Sequence, residues 1–370
     1  MTAVPNPITA TAELAAACRR FAAAPRLAVD TEFLRERTYL AELALVQLGN
    51  EQAVALVDPL AGLELAPLAA LLTDPALPKV LHAARQDIEV LLPLTGRPLA
   101  PLIDTQLAAA LLGMPAQIGY ADLVQRELGH ALEKSQARTD WTRRPLSAAQ
   151  LEYAADDVRW LLPLAARLET RLAALGRLDW LHEDCARLTD RALYDSSVAD
   201  AWQRLKGTES LPPPEQLRLR TLAAWREARA LRRNLPRGWV LADDGLRLIA
   251  RSAPRDLGTL KALGAMAPGA ADKLGAEILA ELERASQLPL DGIVQRQDPR
   301  RDLEEQARTR RLGASVKSLA AELGLAPEVL ATQRDLRRIA RGEAVAAVLQ
   351  GWRASVLGDR LAAAAAAAPD

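Results

Sequence analysis

The chain predicts an α/β domain of roughly 200 residues followed by two small all-α units. Three observations carry this. Short apolar runs come first, then apolar runs alternating with helical periodicity. A break rich in Gly, Thr, Ser and Pro spans 207–214 and contains Pro212, Pro213 and Pro214. Beyond it the periodicity is helical throughout, with one further Pro- and Gly-bearing break at 287–299.

Residues 26–33, 43–49 and 53–57 read as three strands, with Gly49-Asn50 marking a turn. Lys79-Val80-Leu81-His82 and Leu102-Ile103 are shorter apolar runs, each followed by a helical pattern. From about residue 105 helices dominate. Leu151, Val158, Leu161, Leu162, Leu164, Ala165 and Leu168 fall at helical spacing, which predicts one long amphipathic helix over 147–174 with Ser147 as its cap. The domains are therefore expected at 1–206, 215–290 and 300–362, with 207–214 as linker.

The 370 residues are half hydrophobic and one quarter charged, an ordinary globular composition. Cys18 and Cys185 are the only cysteines and have no metal-like spacing. A disulfide framework is not expected, and a reducing cytoplasm is the default. Glu13 and Arg19-Arg20 interrupt the stretch that a leader peptide would keep apolar, and no run is long enough for a membrane span. The net charge of zero hides an asymmetry. Residues 1–210 hold 21 Lys and Arg against 27 Asp and Glu, and residues 211–370 hold 26 against 20. An acidic half joined to a basic half suits a metal-bearing unit beside a unit that binds a polyanion.

The acidic half has a specific pattern. Asp30 and Glu32 flank Thr31 directly after Leu27-Ala28-Val29. Side chains two apart on a strand share a face, so the two carboxylates lie side by side and need something cationic between them. A hard divalent ion fits. Asp87 opens a second apolar helical stretch, where taken singly it reads as a first-turn acid. Tyr153 and Asp157 are i and i+4, neighbours on one helix face. Asp104 is expected to cap and brace the next helix, and Asp156 to face solvent.

These residues together resemble the DEDD exonuclease superfamily, in its tyrosine branch, and within it the bacterial ribonuclease D family. The resemblance is carried by Asp30-Thr31-Glu32-Phe33, Leu45-Val46-Gln47-Leu48, His82-Ala83-Ala84 before Asp87, Asp104-Thr105-Gln106, Lys134-Ser135, Thr139-Asp140-Trp141, Arg144-Pro145-Leu146 and Tyr153-Ala154-Ala155-Asp156-Asp157-Val158. It implies a ribonuclease-H-like α/β catalytic domain and a two-metal phosphodiesterase using Mg²⁺ or Mn²⁺. Asp30, Glu32, Asp87 and Asp157 would be the metal ligands and Tyr153 the residue that orients the attacking water. The implied activity is 3′→5′ exoribonuclease action releasing nucleoside 5′-monophosphates, in tRNA precursor maturation. A monomer in the cytoplasm, away from membranes, is the matching expectation.

RNA contacts are expected at Thr31, at Phe33 by stacking on the terminal base, and at Lys134, Arg138 and Arg144, which equally suit a solvated face. His82, a candidate substrate contact, reads first as a packed or hydrogen-bonded core histidine. Seven arginines between 218 and 237, Arg229, Arg232 and Arg233 among them, suggest phosphate binding. Pro236-Arg237-Gly238-Trp239-Val240-Leu241 resembles an HRDC domain, and ribonuclease D carries two in tandem, which makes 300–362 a divergent second copy. Two rival readings stand: a DNA exonuclease on the same fold, and an RNA-binding protein without catalysis. The absence of a phosphate-binding G-x-x-x-x-G-K-[ST] loop excludes a helicase.

Overall fold

The computed structural model describes residues 5–133, 135–136, 139–195, 197–208, 211–290, 293 and 299–366. Five strands form one sheet: β1 (Leu27–Leu34), β2 (Glu42–Gly49), β3 (Val54–Val57), β4 (Lys79–Leu81) and β5 (Leu102–Asp104). Their order is β3-β2-β1-β4-β5, with β1, β4 and β5 parallel and β2 antiparallel to β3. The central strand β1 begins with three fully buried apolar residues, Leu27, Ala28 and Val29, as a strand covered on both faces requires.

The helices that wrap this sheet are α1 (Thr11–Ala22), α2 (Ala66–Leu72), α3 (Arg85–Thr95), α4 (Thr105–Leu111), α5 (Tyr120–Leu128), α6 (Ala148–Arg159), α7 (Leu161–Ala174) and α8 (Leu178–Leu188). The single helix expected over 147–174 is two, α6 and α7, divided at Trp160. Pro163 explains the division. It has no N–H to donate and its ring would strike the carbonyl of residue 159, so it is tolerated only in the first turn of a new helix. Ser147 caps α6 through a capping box with Gln150.

Downstream lie α9 (Pro213–Arg233), α10 (Arg237–Val240), α11 (Asp243–Ser252), α12 (Leu257–Ala262), α13 (Ala270–Ser286), α14 (Pro299–Leu323), α15 (Pro327–Leu330), α16 (Gln333–Ala340), α17 (Val345–Val348) and α18 (Gly351–Ala366). One turn construction occurs twice among them. Residues Asn234 and Gly324 end the long helices α9 and α14 with positive φ. Leu235 and Leu325 then bond back to Ala230 and Ala320, and Leu241 and Ala331 bond to Arg237 and Pro327.

The chain forms two compact units. The first combines the residues up to Leu34, Leu43–Arg191 and the stretch from Pro299 on. Its main core runs without interruption from Val80 and Ile103 through Leu164 and Leu168 to Leu312, Val316, Leu336 and Leu361. Trp180 of α8 stacks on Trp352 of α18 with centroids 4.3 Å apart. Buried Asp184 receives the Trp352 indole N–H at 3.2 Å and the Arg353 guanidinium. The sequence reading sets 300–362 apart as its own unit; here these helices share the core of the sheet domain.

The second unit combines Arg35–Glu42 with Ala192–Asp298. Ala201 and Leu205 belong to its core, with Leu219, Leu222, Ile249 and Ile278. The sequence reading instead keeps residues up to 206 with the sheet. Within this unit Leu40 donates to Asn234 Oδ1 at 3.1 Å, the Tyr39 hydroxyl bonds Glu227, and the Arg237 guanidinium lies 4.7 Å from the Tyr39 ring centroid.

Candidate active site

Asp30 is the fourth residue of β1 and Glu32 the sixth, so both project from one face of the sheet. Helix α6 lies over that face. Gly49 at the end of β2 permits its close approach: a Cβ there would stand 3.2 Å from both the Cβ and the carbonyl oxygen of Val158. The next residue back along α6 is Asp157. Carboxylate oxygens of Asp30, Glu32 and Asp157 all lie within 4.8 Å of one another. One turn earlier, the Tyr153 hydroxyl donates to Asp157.

Asp87, in the first turn of α3, is 7% exposed. It stands outside the 4.8 Å group. Thr31, which points away from Asp30 and Glu32, donates its hydroxyl to Asp87 Oδ1 at 2.5 Å. Asp104 sets the approach to α3. Its carboxylate caps α4 at Gln106 and Leu107 and also accepts from the N–H groups of Ala83 and Ala84. Ala83 is held at φ 56° in that turn.

Crowding governs the electrostatics. Burial, then the charges of Asp157, Asp87 and Glu32, push Asp30 well above the ordinary carboxylate range, against a backbone hydrogen bond from Thr31. Burial followed by Asp157 and Asp87 pushes Glu32 up to about 9. Asp157 rises to about 8 through burial and the neighbouring Asp156, with the Tyr153 hydrogen bond opposing. Asp87 rises to about 7 through burial, moderated by the Thr31 hydroxyl. Burial and the same acids raise Tyr153, so its phenol keeps its proton. The set contains only oxygen donors, which suits hard divalent ions and disfavours zinc.

Other predicted contacts are placed differently. The two ring nitrogens of His82 lie 2.9 Å from the Thr105 hydroxyl and 3.0 Å from the Ile118 carbonyl, so His82 is a half-buried tie from the end of β4 to the start of α4 and the α4–α5 loop. All five N–H groups of Arg144 are used, on Asp58, on the Trp141 and Arg143 carbonyls and on Ala44. It pins its loop to β2 and β3 and presents no donor to a phosphate. Phe33 is half-buried on β1. Lys134 and Arg138 lie outside the described residues.

The arginine-dense helix α9 is largely engaged within its own unit. Arg226 is 4% exposed and bonds Asp243 and the Leu241 carbonyl. Arg229 bonds Glu277, Arg218 bonds the Ala250 carbonyl, and Arg237 bonds Glu227. Arg232 and Arg233 remain exposed in its last turn. Sequence reasoning missed Tyr120, whose buried hydroxyl donates to the Asp156 carbonyl at 3.1 Å and feels the charges of Asp157 and Asp30. Its tilted packing on His82, 5.6 Å between centroids, has no sequence signature.

A ribonuclease-H-like sheet with this acidic group under a tyrosine-bearing helix defines a 3′→5′ exonuclease of the DEDD class. Residues 5–173 match the 3′-5′ exonuclease family and residues 215–282 the HRDC domain. Ribonuclease D of Acidiphilium cryptum is 41% identical over 363 residues, covering 95% of this chain and 91% of that protein. Ribonuclease D of Escherichia coli K12 is 34% identical, covering 96% of each. The crystal structure of Escherichia coli RNase D, described as an exoribonuclease involved in structured RNA processing, superposes with a TM-score of 0.88 at 33% identity, covering 96% of this chain and 97% of that one. The chain belongs to the ribonuclease D family, a 3′→5′ exoribonuclease with a C-terminal HRDC domain.

Proposed function

We propose that Asp30, Glu32, Asp87 and Asp157 hold two divalent ions, Mg²⁺ or Mn²⁺, and that Tyr153 orients the attacking water at an RNA 3′ end. The observation that carries this is the group of three carboxylates within 4.8 Å beneath Tyr153. When bound, such ions supply electrophilic stabilisation of the phosphate and a more acidic water. The remaining work belongs to the chain. Asp30, which has Asp157, Asp87 and Glu32 all as charged neighbours, would be the carboxylate shared by the two ion positions. The phenol, raised above its ordinary value, is a hydrogen-bond donor and not a base. Thr31 holds Asp87 through its hydroxyl at 2.5 Å. Phe33, the residue after Glu32 on β1, is the proposed stacking partner of the terminal base.

The substrate proposed is the 3′ extension of tRNA precursors, cut to nucleoside 5′-monophosphates by a monomer in the cytoplasm. Among the described residues no helix is long and apolar enough to cross a membrane. Two HRDC-like domains, at 215–290 and 300–362, complete the proposed organisation. The repeated turn after α9 and α14 supports the second. Digestion of a tRNA precursor and of matched RNA and DNA oligonucleotides, with and without EDTA, tests the reading. The expected result is 3′-end shortening of RNA that EDTA abolishes; equal digestion of DNA would favour the DNA exonuclease reading.

A further inference from the structure

Gln47 is 0% exposed, and neither its amide nitrogen nor its amide oxygen has a hydrogen-bond partner among the described residues. Buried amides are nearly always paired, because removing water without replacing its hydrogen bonds is unfavourable. Strand geometry fixes where this amide lies. A Cβ at Gly49 would sit 3.3 Å from the Ala28 Cβ and 3.2 Å from the Val158 Cβ, so that position faces α6. Gln47, two residues back, shares the face. On β3 it is opposite Leu56, which packs against Ala154 of α6.

On the other side lies β1. The connection from Leu34 to Glu42 is far shorter than the roughly dozen residues a parallel crossover needs, so β1 and β2 run antiparallel. Stepping two residues along each strand from Ala28 and Gly49 brings Gln47 beside Asp30. An unpaired amide, excluded from water under α6, therefore flanks the central carboxylate of the site. Asp30 accepts from the Thr31 backbone N–H.

We propose that Gln47 is a positioning residue of the catalytic centre: its amide N–H is the donor that locks the Asp30 carboxylate in the orientation that holds metal. The proposal rests on the metal-holding role given above to Asp30. A carboxylate that binds ions leaves lone pairs to satisfy, and outer donors of this kind orient ligands and tune their affinity. The alternative is that Gln47 merely fills space between sheet and helix. The two readings make opposite demands on the metal-free protein. A space-filling glutamine must support stability there, whereas an amide waiting for a partner does not.

Gln47→Met keeps the volume and removes the amide. In EDTA the variant should melt at or above the wild-type temperature. Mn²⁺ affinity measured calorimetrically should fall about tenfold or more. The rate constant kcat should fall with it, while KM for RNA stays unchanged. Gln47→Leu should behave alike. Mn²⁺ affinity equal to that of wild type would overturn the proposal, as would a lower melting temperature in EDTA for both variants. Wild-type protein titrated in parallel separates the two failures: no Mn²⁺ binding there would sink the metal reading itself.

Discussion

Metal loading should expel protons, and their number follows from the site. With no ion bound, Glu32 sits at about 9 and Asp157 at about 8, so both carry a proton at pH 7. Asp87, at about 7, is half protonated there. Asp30, also raised well above its ordinary value, adds to the count. An ion binds only ionised carboxylates, so Mn²⁺ binding at pH 7 should release at least about two protons, and affinity should climb about a hundredfold or more from pH 6 to pH 7. Calorimetric titration in buffers of different ionisation enthalpy counts these protons directly. The same shifts set a sign for stability. Folded values above the unfolded carboxylate value of about 4 mean that the native state binds extra protons between the two. The contribution of these acids to stability in EDTA should therefore be most favourable below about pH 4 and decline as pH rises toward about 9. Saturating Mg²⁺ should remove the decline. A binding heat independent of buffer would refute the reasoning, since it would mean the acids are already ionised without metal.

Asp30→Asn should leave the fold intact by circular dichroism and reduce turnover below about one percent at saturating Mg²⁺, because one change weakens both ion positions. Tyr153→Phe should lower kcat roughly 10²–10⁴-fold with little change in calorimetric metal affinity; a large loss of affinity would make the phenol a ligand support. A chain ended at Gly207 reads from sequence as a competent catalytic fragment that has lost RNA affinity. The shared core predicts otherwise, since Leu312, Val316, Leu336, Leu357 and Leu361 would leave apolar cavities around α4, α7 and α8. That fragment should aggregate or melt far below the full chain, and a soluble fragment with native melting would contradict this.

The strands and the acids were legible because both rest on local rules. Leu27-Ala28-Val29 could only be a buried run, and Asp30 and Glu32 share a face by the period of a strand. The Tyr153–Asp157 pair followed from the helical period in the same way. The break at Trp160 was available in Pro163 but outweighed by the apolar periodicity on either side. What stayed hidden depends on distant partners. Arg144 looks like a surface cation until Asp58 and the Ala44 carbonyl are brought to it. The arginines of α9 suggest a polyanion until Asp243 and Glu277 fold against Arg226 and Arg229. No periodicity announces that α14 and α18 close the core of the sheet domain, because an apolar helix face does not name what covers it.

The partition of the chain has a consequence for heredity. The polypeptide leaves the first unit after Leu34, returns at Leu43, leaves again after Arg191 and returns at Pro299. No single cut, and no single insertion point, separates one unit from the other as whole pieces. A recombination event that swapped the HRDC-bearing unit for another would have to replace Arg35–Glu42 as well, the segment directly downstream of the strand that carries Asp30 and Glu32. The two units are therefore expected to vary together across relatives. Tyr39, Asn234 and Arg237, which tie that segment to its own unit, should change in concert and not one at a time.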